Sequence, residues 1–435
     1  VAATNHASSG AWAAAGGIGT VSAVNADSYD EDGNVIPQIY HGRKREERHQ
    51  ELIQYAIDGA VEQVTRAHEI ANGKGAININ VLWEMGGAQQ VLEGVLEKTK
   101  GMVAGVTCGA GMPYKLSEIA QQYGVNYLPI ISSARAYHKV PDLMAAVVYE
   151  DPWLAGGHNG LSNAEDPRKP EDPYPRVKAL RETMRGEGIA DSVPIIMAGG
   201  VWHLRDWQDW IDSEELGQIA FQFGTRPLLT KESPIPESWK SELTKIKEGD
   251  ILLHKFSPTG FYSSAVRNEF LRSLEARSER QIPYSTEKAG EHTHQLDVGI
   301  KGKNFWVTRN DLLRAREWDG LGFTMAMKTP DNTLVFATPE ESKMIRKDQA
   351  DCMGCLSHCG FSAWKDHDNN STGRLADPRS FCIQKSLQEI VHGAPVEEHL
   401  MFAGHGAYNF GTDPFYSNGF VPTVQQLMDR ILTGD

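Results

Sequence analysis

The sequence predicts an α/β fold, a (β/α)8 TIM barrel followed by a mainly helical and irregular C-terminal extension. Short apolar runs alternate with amphipathic helical patterns along residues 1–230. Such alternation builds a parallel sheet with crossover helices. After Thr230 the alternation ends, and residues 233–236 have the composition of a linker. The 435 residues are enough for one barrel of about 250 residues plus additions.

The barrel elements are predicted one by one from local patterns. Gly16 and Gly17 end the first helix, and the second, at 46–72, repeats apolar residues at helical spacing. The seven predicted strands lie at 18–24, 76–82, 102–107, 126–131, 145–149, 193–198 and 218–223, and the helices lie at 6–15, 46–72, 88–98, 115–123, 176–185 and 203–212.

A barrel of this class needs eight strands, one more than the pattern provides. The first recognisable element is a helix. We therefore expect the printed sequence to begin just after the first strand of the barrel. The rival architecture is an open doubly wound sheet. That architecture calls for a Gly-rich turn after its first strand, and no GxGxxG occurs there. The barrel is therefore the preferred prediction.

Residues 231–435 are predicted to form an extension that packs on the barrel. Helical patterns at 263–278, 339–347, 384–392 and 421–432 are separated by irregular polar stretches. Four of the five cysteines lie in this region, between 352 and 382.

Composition narrows the class of function. The net charge of −14 offers no basic face, so nucleic acid is not an expected partner. No apolar run reaches the length of about 18 residues that a membrane span needs. The N-terminus shows no secretion signal, which predicts a cytoplasmic protein. In that compartment, crowded cysteines favour a metal or a cluster over disulfides.

Three glycine-rich segments follow predicted strands, where barrels of this class carry their chemistry. In AGGHNG at 155–160, the glycines allow a flat ligand to approach closely, and His158 is suited to proton transfer. An exposed turn histidine is the plainer interpretation, but the position at a strand end favours function. Gly199-Gly200 and Gly224-Thr225 follow the last two strands, where phosphate is commonly bound through backbone N–H groups.

Taken together, these motifs resemble the nitronate monooxygenase (2-nitropropane dioxygenase) family of FMN-dependent TIM barrels. The flavin-dependent enoyl-acyl-carrier-protein reductases share the same frame. The resemblance covers about residues 1–230, and residues 257–272 are similar to the tail region of the family. It rests on AAGGIG at 14–19, NIN at 78–80, AGGHNG at 155–160, AGG at 198–200 and QFGT at 222–225.

The resemblance implies an FMN at the strand ends, with His158 as the catalytic base. The Pro-Met flavin loop of the family's first strand has no counterpart in this sequence. The residues that the resemblance assigns to the flavin are Gly199, Gly200, Gly224 and Thr225 at the phosphate, Gly156 and Gly157 facing the isoalloxazine, and Asn80 nearby.

The cysteines depart from that family. Cys352, Cys355 and Cys359 lie within eight residues, and Cys382 follows at a distance. A [4Fe–4S] cluster takes four thiolates, often three close together and one remote, so it is the favoured interpretation. Zinc, which is usually bound by separated pairs of ligands, is the alternative, and His358 is able to replace a thiol in such a site. Thiols that bind no metal are the third interpretation. The triplet resembles that of flavin/iron–sulfur reductases of the 2,4-dienoyl-CoA reductase type, whose fourth cysteine is nearer.

Three further segments are ambiguous. Cys108 follows a predicted strand and is by default a core thiol, with a place near the flavin as the sharper alternative. The aromatic-rich stretch around 404–408 is by default packing, or else a cover for the active site or the cluster. The polar segment Asp366-His367-Asp368 is by default a solvated loop, and a metal site is the alternative interpretation.

Two enzymatic functions and one non-enzymatic function are compatible with these features. The first is oxidation of an activated carbon acid such as a nitronate by O₂, with His158 as the base. The alternative is a flavin/iron–sulfur reductase of an enoyl thioester or another conjugated acceptor. A flavin- or zinc-binding scaffold without activity is the third, and His158 argues against it. The expected partner is a small-molecule substrate. NAD(P)H, a one-electron donor or acceptor, and a homo-oligomer remain open.

Overall fold

The computed structural model describes residues 3–109, 114–137, 144–300, 304–365 and 372–434. Its strands are β1 Ile18–Ser22, β2 Ala76–Leu82, β3 Gly105–Gly109, β4 Asn126–Ile131, β5 Val147–Glu150, β6 Gly157–His158, β7 Ile195–Ala198, β8 Ile219–Gln222, β9 Ile251–His254, β10 Ser263–Val266, β11 Gln281–Pro283, β12 His294–Gln295, β13 Trp306–Val307, β14 Met325–Lys328, β15 Thr333–Ala337, β16 His358–Cys359 and β17 Trp364–Lys365.

Helices alternate with the strands of the first half and continue to the C-terminus. They are α1 His6–Ala14, α2 Arg45–Ala71, α3 Ala88–Lys98, α4 Tyr114–Tyr123, α5 Ala134–Tyr137, α6 Pro173–Gly186, α7 Gln208–Ile211, α8 Glu237–Leu243, α9 Glu269–Glu279, α10 Arg309–Gly320, α11 Pro339–Ala350, α12 Ile383–Val391, α13 Asn409–Thr412 and α14 Val424–Thr433. Short 3-10 turns, such as Leu204–Trp207, connect some of them.

Seven parallel strands form the main sheet, in the order β1-β2-β3-β4-β5-β7-β8. Each strand pairs with the next in this order, as β1 does with β2 through Ile18 opposite Ala76, whereas β6 lies outside this sheet. The sheet curls into a TIM-barrel-like layer with the helices outside it, which confirms the predicted fold class. Within the described ranges no strand bridges β8 and β1, and the sheet stays open between them.

Alternate side chains of the sheet enter two different cores, as the period of a strand requires. On β5, Val147 and Tyr149 pack with Leu180 of α6 on the outer side. Val148 packs with Ala198 inside the barrel. Polar or charged residues that share the inward direction at the strand ends therefore face the mouth of the barrel.

The extension is joined to the barrel by backbone hydrogen bonds. Strand β10 pairs with β9 on one side and with β6 on the other, where Ser263 lies opposite His158. A second sheet, in the order β11-β15-β14, has a core of its own that includes Leu334 and Phe336. The division at residue 230 remains a prediction.

Two predicted helices differ from the structure. Residues 263–278 contain β10 before α9, because the segment that begins at Ser263 is paired on both edges. Residues 203–212 form a 3-10 turn followed by the short α7. The extension also holds short strands besides its predicted helices. In the described part of the chain, no helix is both long and apolar enough to cross a membrane.

Candidate active site

A cavity of about 540 Å³ opens at the carboxyl ends of β5, β7 and β8. This is the side of the barrel where the sequence placed the chemistry. The cavity brings together five of the residues assigned to the flavin, namely Gly156, Gly199, Gly200, Gly224 and Thr225. Residues that the sequence did not single out for this site also line it, among them Glu150, Leu154, Trp202 and Arg226.

The glycines of this cavity are required by close packing and by backbone conformation. Gly199 and Gly200 have φ of +96° and +75°, in the left-handed region that favours glycine. A Cβ on Gly200 would lie 2.8 Å from a methyl carbon of Leu154, and one on Gly156 would lie 2.5 Å from the backbone nitrogen of Gly404. A Cβ on Gly224 would meet nothing within 4 Å, so this residue borders open space.

Arg226 supplies a buried positive charge at the same cavity. Its Nη1 donates to the carbonyl of Trp202 at 2.5 Å and its Nε to the Tyr416 hydroxyl at 3.2 Å. Nη2 lies 3.7 Å from Asp413 and has no hydrogen-bond partner among the described residues. An incompletely paired guanidinium beside glycine turns suits a phosphate group. In the sequence, the position of Arg226 directly after Gly224-Thr225 is the signal that could have identified it as a residue of this site.

The extension forms part of the cavity wall. The backbone nitrogen of Gly404 donates to the Thr225 hydroxyl at 2.9 Å, and that of His405 donates to the carbonyl of Leu154 at 3.1 Å. Gly404 and Gly406 line the cavity. The aromatic-rich stretch of the sequence therefore contributes backbone to this site, while Phe410 and Tyr416 pack together in a core cluster.

His158 lies next to the cavity, on β6, but does not line it. Its Nε2 is 2.6 Å from the hydroxyl of Ser257, which in turn is 2.9 Å from that of Thr259. The ring of Phe402 meets the imidazole edge-on, with the centroids 5.5 Å apart. Burial lowers the pKa of His158 to about 4, so the imidazole is uncharged near neutral pH. An uncharged imidazole can accept a proton.

Asp151 shapes the turn that carries His158. Its carboxylate accepts the N–H groups of Trp153 at 2.9 Å and Leu154 at 2.8 Å, and its carbonyl accepts that of Ala155. The side chain is fully buried. These bonds fix the start of the AGGHNG segment. The structure thus adds a positioning residue that the sequence analysis missed.

Asn80 lies on β2, and its amide nitrogen is 3.5 Å from the Thr107 hydroxyl of β3. It does not line the cavity. Gly157 also lies outside the lining and has a φ of +72°. The structure thus brings together, in one cavity, the glycines that the resemblance assigns to the flavin phosphate. Asn80, Gly157 and His158 do not line this cavity.

The four clustered cysteines pack together beside the loop that follows β2. The carbonyl of Cys355 accepts the N–H of Gly86 at 3.0 Å. Cys352 and Cys359 are buried, whereas Cys355 and Cys382 are partly exposed. Burial and the neighbouring thiols raise the pKa of Cys355 far above its ordinary value. Burial raises that of Cys382 to about 12.

Among these sulfurs, that of Cys352 accepts the backbone N–H of Gly354 at 3.4 Å, and its thiol donates to the Ser362 hydroxyl at 3.2 Å. Cys382 directly precedes α12, and its side chain makes no capping hydrogen bond. No three His, Cys, Asp or Glu side chains of the described residues are arranged to hold a metal ion. The geometry therefore gives no support to the [4Fe–4S] cluster that the sequence favoured, to the alternative zinc site, or to the metal-ligand assignment of these cysteines.

The remaining candidates have simple outcomes. Cys108 is 1% exposed and points into the core between β3 and the helices, as the default interpretation predicted. Asp366, His367 and Asp368 lie outside the described residues.

The family follows from comparison of the sequence with known families. A model of the nitronate monooxygenase family matches residues 3–320. The chain belongs to the nitronate monooxygenase family. Members of this family are FMN-dependent oxidoreductases, and this family member is accordingly an FMN-dependent enzyme. The resemblance stated from the motifs is confirmed.

The chain is similar to two solved structures, of which the first supports the fold alone. FabK from Thermotoga maritima has 15% sequence identity and a TM-score of 0.53, with 99% of this chain and 88% of that chain covered. A nitroalkane oxidase from Streptomyces ansochromogenes has 19% identity and a TM-score of 0.44, with 61% of this chain and 74% of that chain covered. Comparison with curated protein sequences gives no significant match.

Proposed function

We propose that this nitronate monooxygenase family member oxidises an activated carbon acid through its nitronate, with His158 as the base that removes the proton. The observation that carries the proposal is the uncharged His158 beside a glycine-lined cavity. A nitroalkane, for example, gives its α-proton to the imidazole, and the nitronate so formed gives two electrons to the cofactor. Water then adds to the oxidised carbon, and nitrite leaves. Bound FMN supplies the two-electron acceptor, and O₂ takes the electrons afterwards.

The cavity residues fit the phosphate end of FMN. Gly199, Gly200 and Gly224 offer backbone without side chains, Thr225 offers a hydroxyl, and Arg226 offers the incompletely paired Nη2. Backbone N–H groups and a guanidinium together are suited to a dianionic phosphate. Gly156, Gly157 and Asn80 are assigned to the ring system by the family resemblance.

Ser257 holds the base in place. The 2.6 Å contact with Nε2 fixes the imidazole plane, and Phe402 packs against the ring. In the tautomer whose Nε2–H donates to the Ser257 hydroxyl, Nδ1 carries the free lone pair that receives the substrate proton. Burial keeps the imidazole in its basic form, which general base catalysis needs.

The experiment compares O₂ consumption with neutral nitroalkanes, whose α-proton a base must remove, in the FMN-loaded wild type and in His158→Ala. Loss of a general base is expected to lower kcat by about 10²–10⁴-fold. His41→Ala, at an exposed histidine, is the matched control and is expected to retain full activity. Full activity in His158→Ala, with flavin content unchanged, would remove the histidine from the proposed mechanism.

A second candidate function is a flavin/iron–sulfur reductase of an enoyl thioester or another conjugated acceptor. The observation that favours it is the packing of Cys352, Cys355, Cys359 and Cys382 in one cluster of side chains. Four neighbouring thiols are the ligand set that an iron–sulfur cluster takes. A cubane gives each iron one cysteine, so it does not require three thiols to converge on a single ion, the arrangement that the described residues lack.

The second candidate is tested by iron and sulfide analysis of protein purified without oxygen. About four iron atoms per chain are expected for a cubane, and Cys355→Ser is expected to lose them. Cys108→Ala, which removes the thiol that lies apart in the barrel core, is the matched control. If the wild type contains no iron, the cluster is ruled out. Electron transfer from NAD(P)H or a one-electron donor through that cluster is then ruled out as well.

A further inference from the structure

Glu150 is a carboxyl group at the mouth of the barrel that the mechanism above does not use. It is the last residue of β5 and lies opposite Ala198 of β7 in the sheet register. Its side chain shares the direction of Val148, which packs inside the barrel. Glu150 accordingly lines the cavity assigned to FMN, together with Gly199 and Thr225.

No ion pair among the described residues includes Glu150. Asp151, next to it on the chain, carries the same sign of charge. Arg226, which lines the same cavity from the end of β8, faces Asp413 and forms no ion pair with Glu150. An ionised carboxylate at this partly buried position thus has no counter-ion of its own in the described part of the chain, which is costly. Burial, followed by the charge of Asp151, raises the pKa of Glu150 to about 8.

We propose that Glu150 serves flavin binding as an uncharged carboxylic acid that donates a hydrogen bond to bound FMN, and that its ionisation sets the alkaline limit of that binding. The proposal rests on the assignment of this cavity to FMN. At neutral pH the acid is a donor. When the proton is lost, the donor disappears and a negative charge appears in the cavity that holds the dianionic phosphate.

The other titratable groups around the cavity do not produce an alkaline limit. His158, which follows on β6, is already uncharged well below neutral pH. Burial likewise lowers the pKa of His405, next to Gly404 in the wall, and that of His203, whose Nε2 faces Asp413. Hydrogen bonds from Trp202 and Phe415 and the charge of Arg226 outweigh burial and hold the pKa of Asp413 below its ordinary value. Burial raises the pKa of the Tyr416 hydroxyl, on the far side of Arg226, to about 12.

The test is a titration of FMN into the flavin-depleted full-length chain, followed by quenching of flavin fluorescence, from pH 6 to pH 9.5. For the wild type, Kd is expected to change by less than a factor of two between pH 7 and pH 7.5 and to rise about fivefold between pH 8 and pH 9, as a single group with a pKa of about 8 requires. In Glu150→Gln, which keeps an N–H donor but cannot ionise, the wild-type Kd at pH 7 is expected to persist to pH 9. Circular dichroism at each pH verifies that both proteins remain folded.

Glu84→Gln is the matched control. Glu84 is also partly buried, and burial also raises its pKa, but it follows β2 and does not line this cavity. Its variant is expected to keep the alkaline rise of the wild type. A rise that persists in Glu150→Gln, or a wild-type Kd that does not change with pH, would overturn the proposal for Glu150 alone. A wild type that fails to bind FMN at every pH would overturn the assignment of the cavity.

Discussion

Single glycines of the cavity have a conformational role and, in the proposed function, a role in ligand binding, and the two can be separated. Gly200 and Gly188 have nearly equal φ values, +75° and +79°. Gly200 borders the cavity proposed for FMN, whereas a Cβ on Gly188 would meet nothing within 4 Å. Alanine at either position brings the same backbone strain of about 1 kcal/mol.

Gly200→Ala is therefore expected to weaken FMN binding by at least about tenfold, because its methyl group displaces the Leu154 side chain at the cavity wall. Gly188→Ala is expected to lower the free energy of unfolding by about as much as Gly200→Ala does, with no change in the Kd for FMN. Fluorescence titration and thermal unfolding of both variants measure the two effects. Equal FMN affinity in the two variants would contradict the assignment of Gly200 to the cofactor.

His254 makes stability depend on pH below neutrality. Burial, with a smaller effect of His158, lowers the pKa of His254 from 6.5 to about 4. Between these values the unfolded chain binds more protons than the folded one, so the free energy of unfolding falls as pH falls from 6.5 toward 4. His254→Gln is expected to remove a loss on the order of 1–3 kcal/mol over this range.

Urea unfolding at pH 4.5 and pH 7 measures this effect. His41→Gln, at an exposed position, is expected to retain the full wild-type difference between the two pH values. An identical difference in His254→Gln would show that the acid sensitivity arises elsewhere.

At the scale of elements, Asp413 joins the C-terminal segments to the barrel. It accepts the indole N–H of Trp202 at 2.9 Å and the backbone N–H of Phe415 at 3.0 Å, and it faces Arg226 and Arg430, each at 3.7 Å. The last helix, α14, and the loop after β8 are thus held by one carboxylate.

Asp413→Ala is expected to lower the free energy of unfolding by about 3–5 kcal/mol, because two largely buried guanidinium groups lose their counter-charge. Asp209→Ala, at an exposed aspartate, is the control and should change stability by less than about 0.5 kcal/mol. Chemical denaturation gives both values. A loss in Asp413→Ala no larger than that of the control would show that other contacts join these elements.

The elements that the sequence predicts best are those with strong local patterns. Strands 76–82 and 126–131 are correct to the residue, and α2 differs by one residue at each end, because an apolar run or a helical stripe is sufficient evidence for each. Residues 263–266 resemble the start of α9 in pattern, but two neighbouring strands pair with them. A contact between residues so distant in sequence leaves no local signal.

The same division applies to the candidate site. The glycine turns at 156–157, 199–200 and 224 were identified from their place after predicted strands. The wall formed by Gly404 depends on a hydrogen bond to Thr225 across 179 residues of sequence, and no local pattern reveals it. Glu150 was missed for a related reason, since it meets the loops after β7 and β8 at the cavity only when these strands have assembled in the sheet.

At the scale of the whole molecule, the barrel and the extension share one active site. Strand β10 pairs with β6 at His158, and Gly404 closes the cavity. A fragment of residues 1–230 is therefore expected to bind FMN at least about 100-fold more weakly than the full chain and to unfold without a cooperative transition. Fluorescence titration and calorimetry measure these properties. A fragment with full-length affinity would establish the first 230 residues as an independent flavin domain.

Anaerobic spectroscopy tests whether a carbon acid reduces the flavin of this enzyme with the help of His158. FMN-loaded protein is mixed with a neutral nitroalkane in the absence of O₂ while the visible flavin absorption is recorded. We expect the flavin band to bleach, to return when O₂ is admitted, and to bleach at least about 100-fold more slowly in His158→Ala. A band that is unchanged by nitroalkanes but bleached by NAD(P)H and restored by an enoyl thioester would contradict the proposed function and establish the reductase instead.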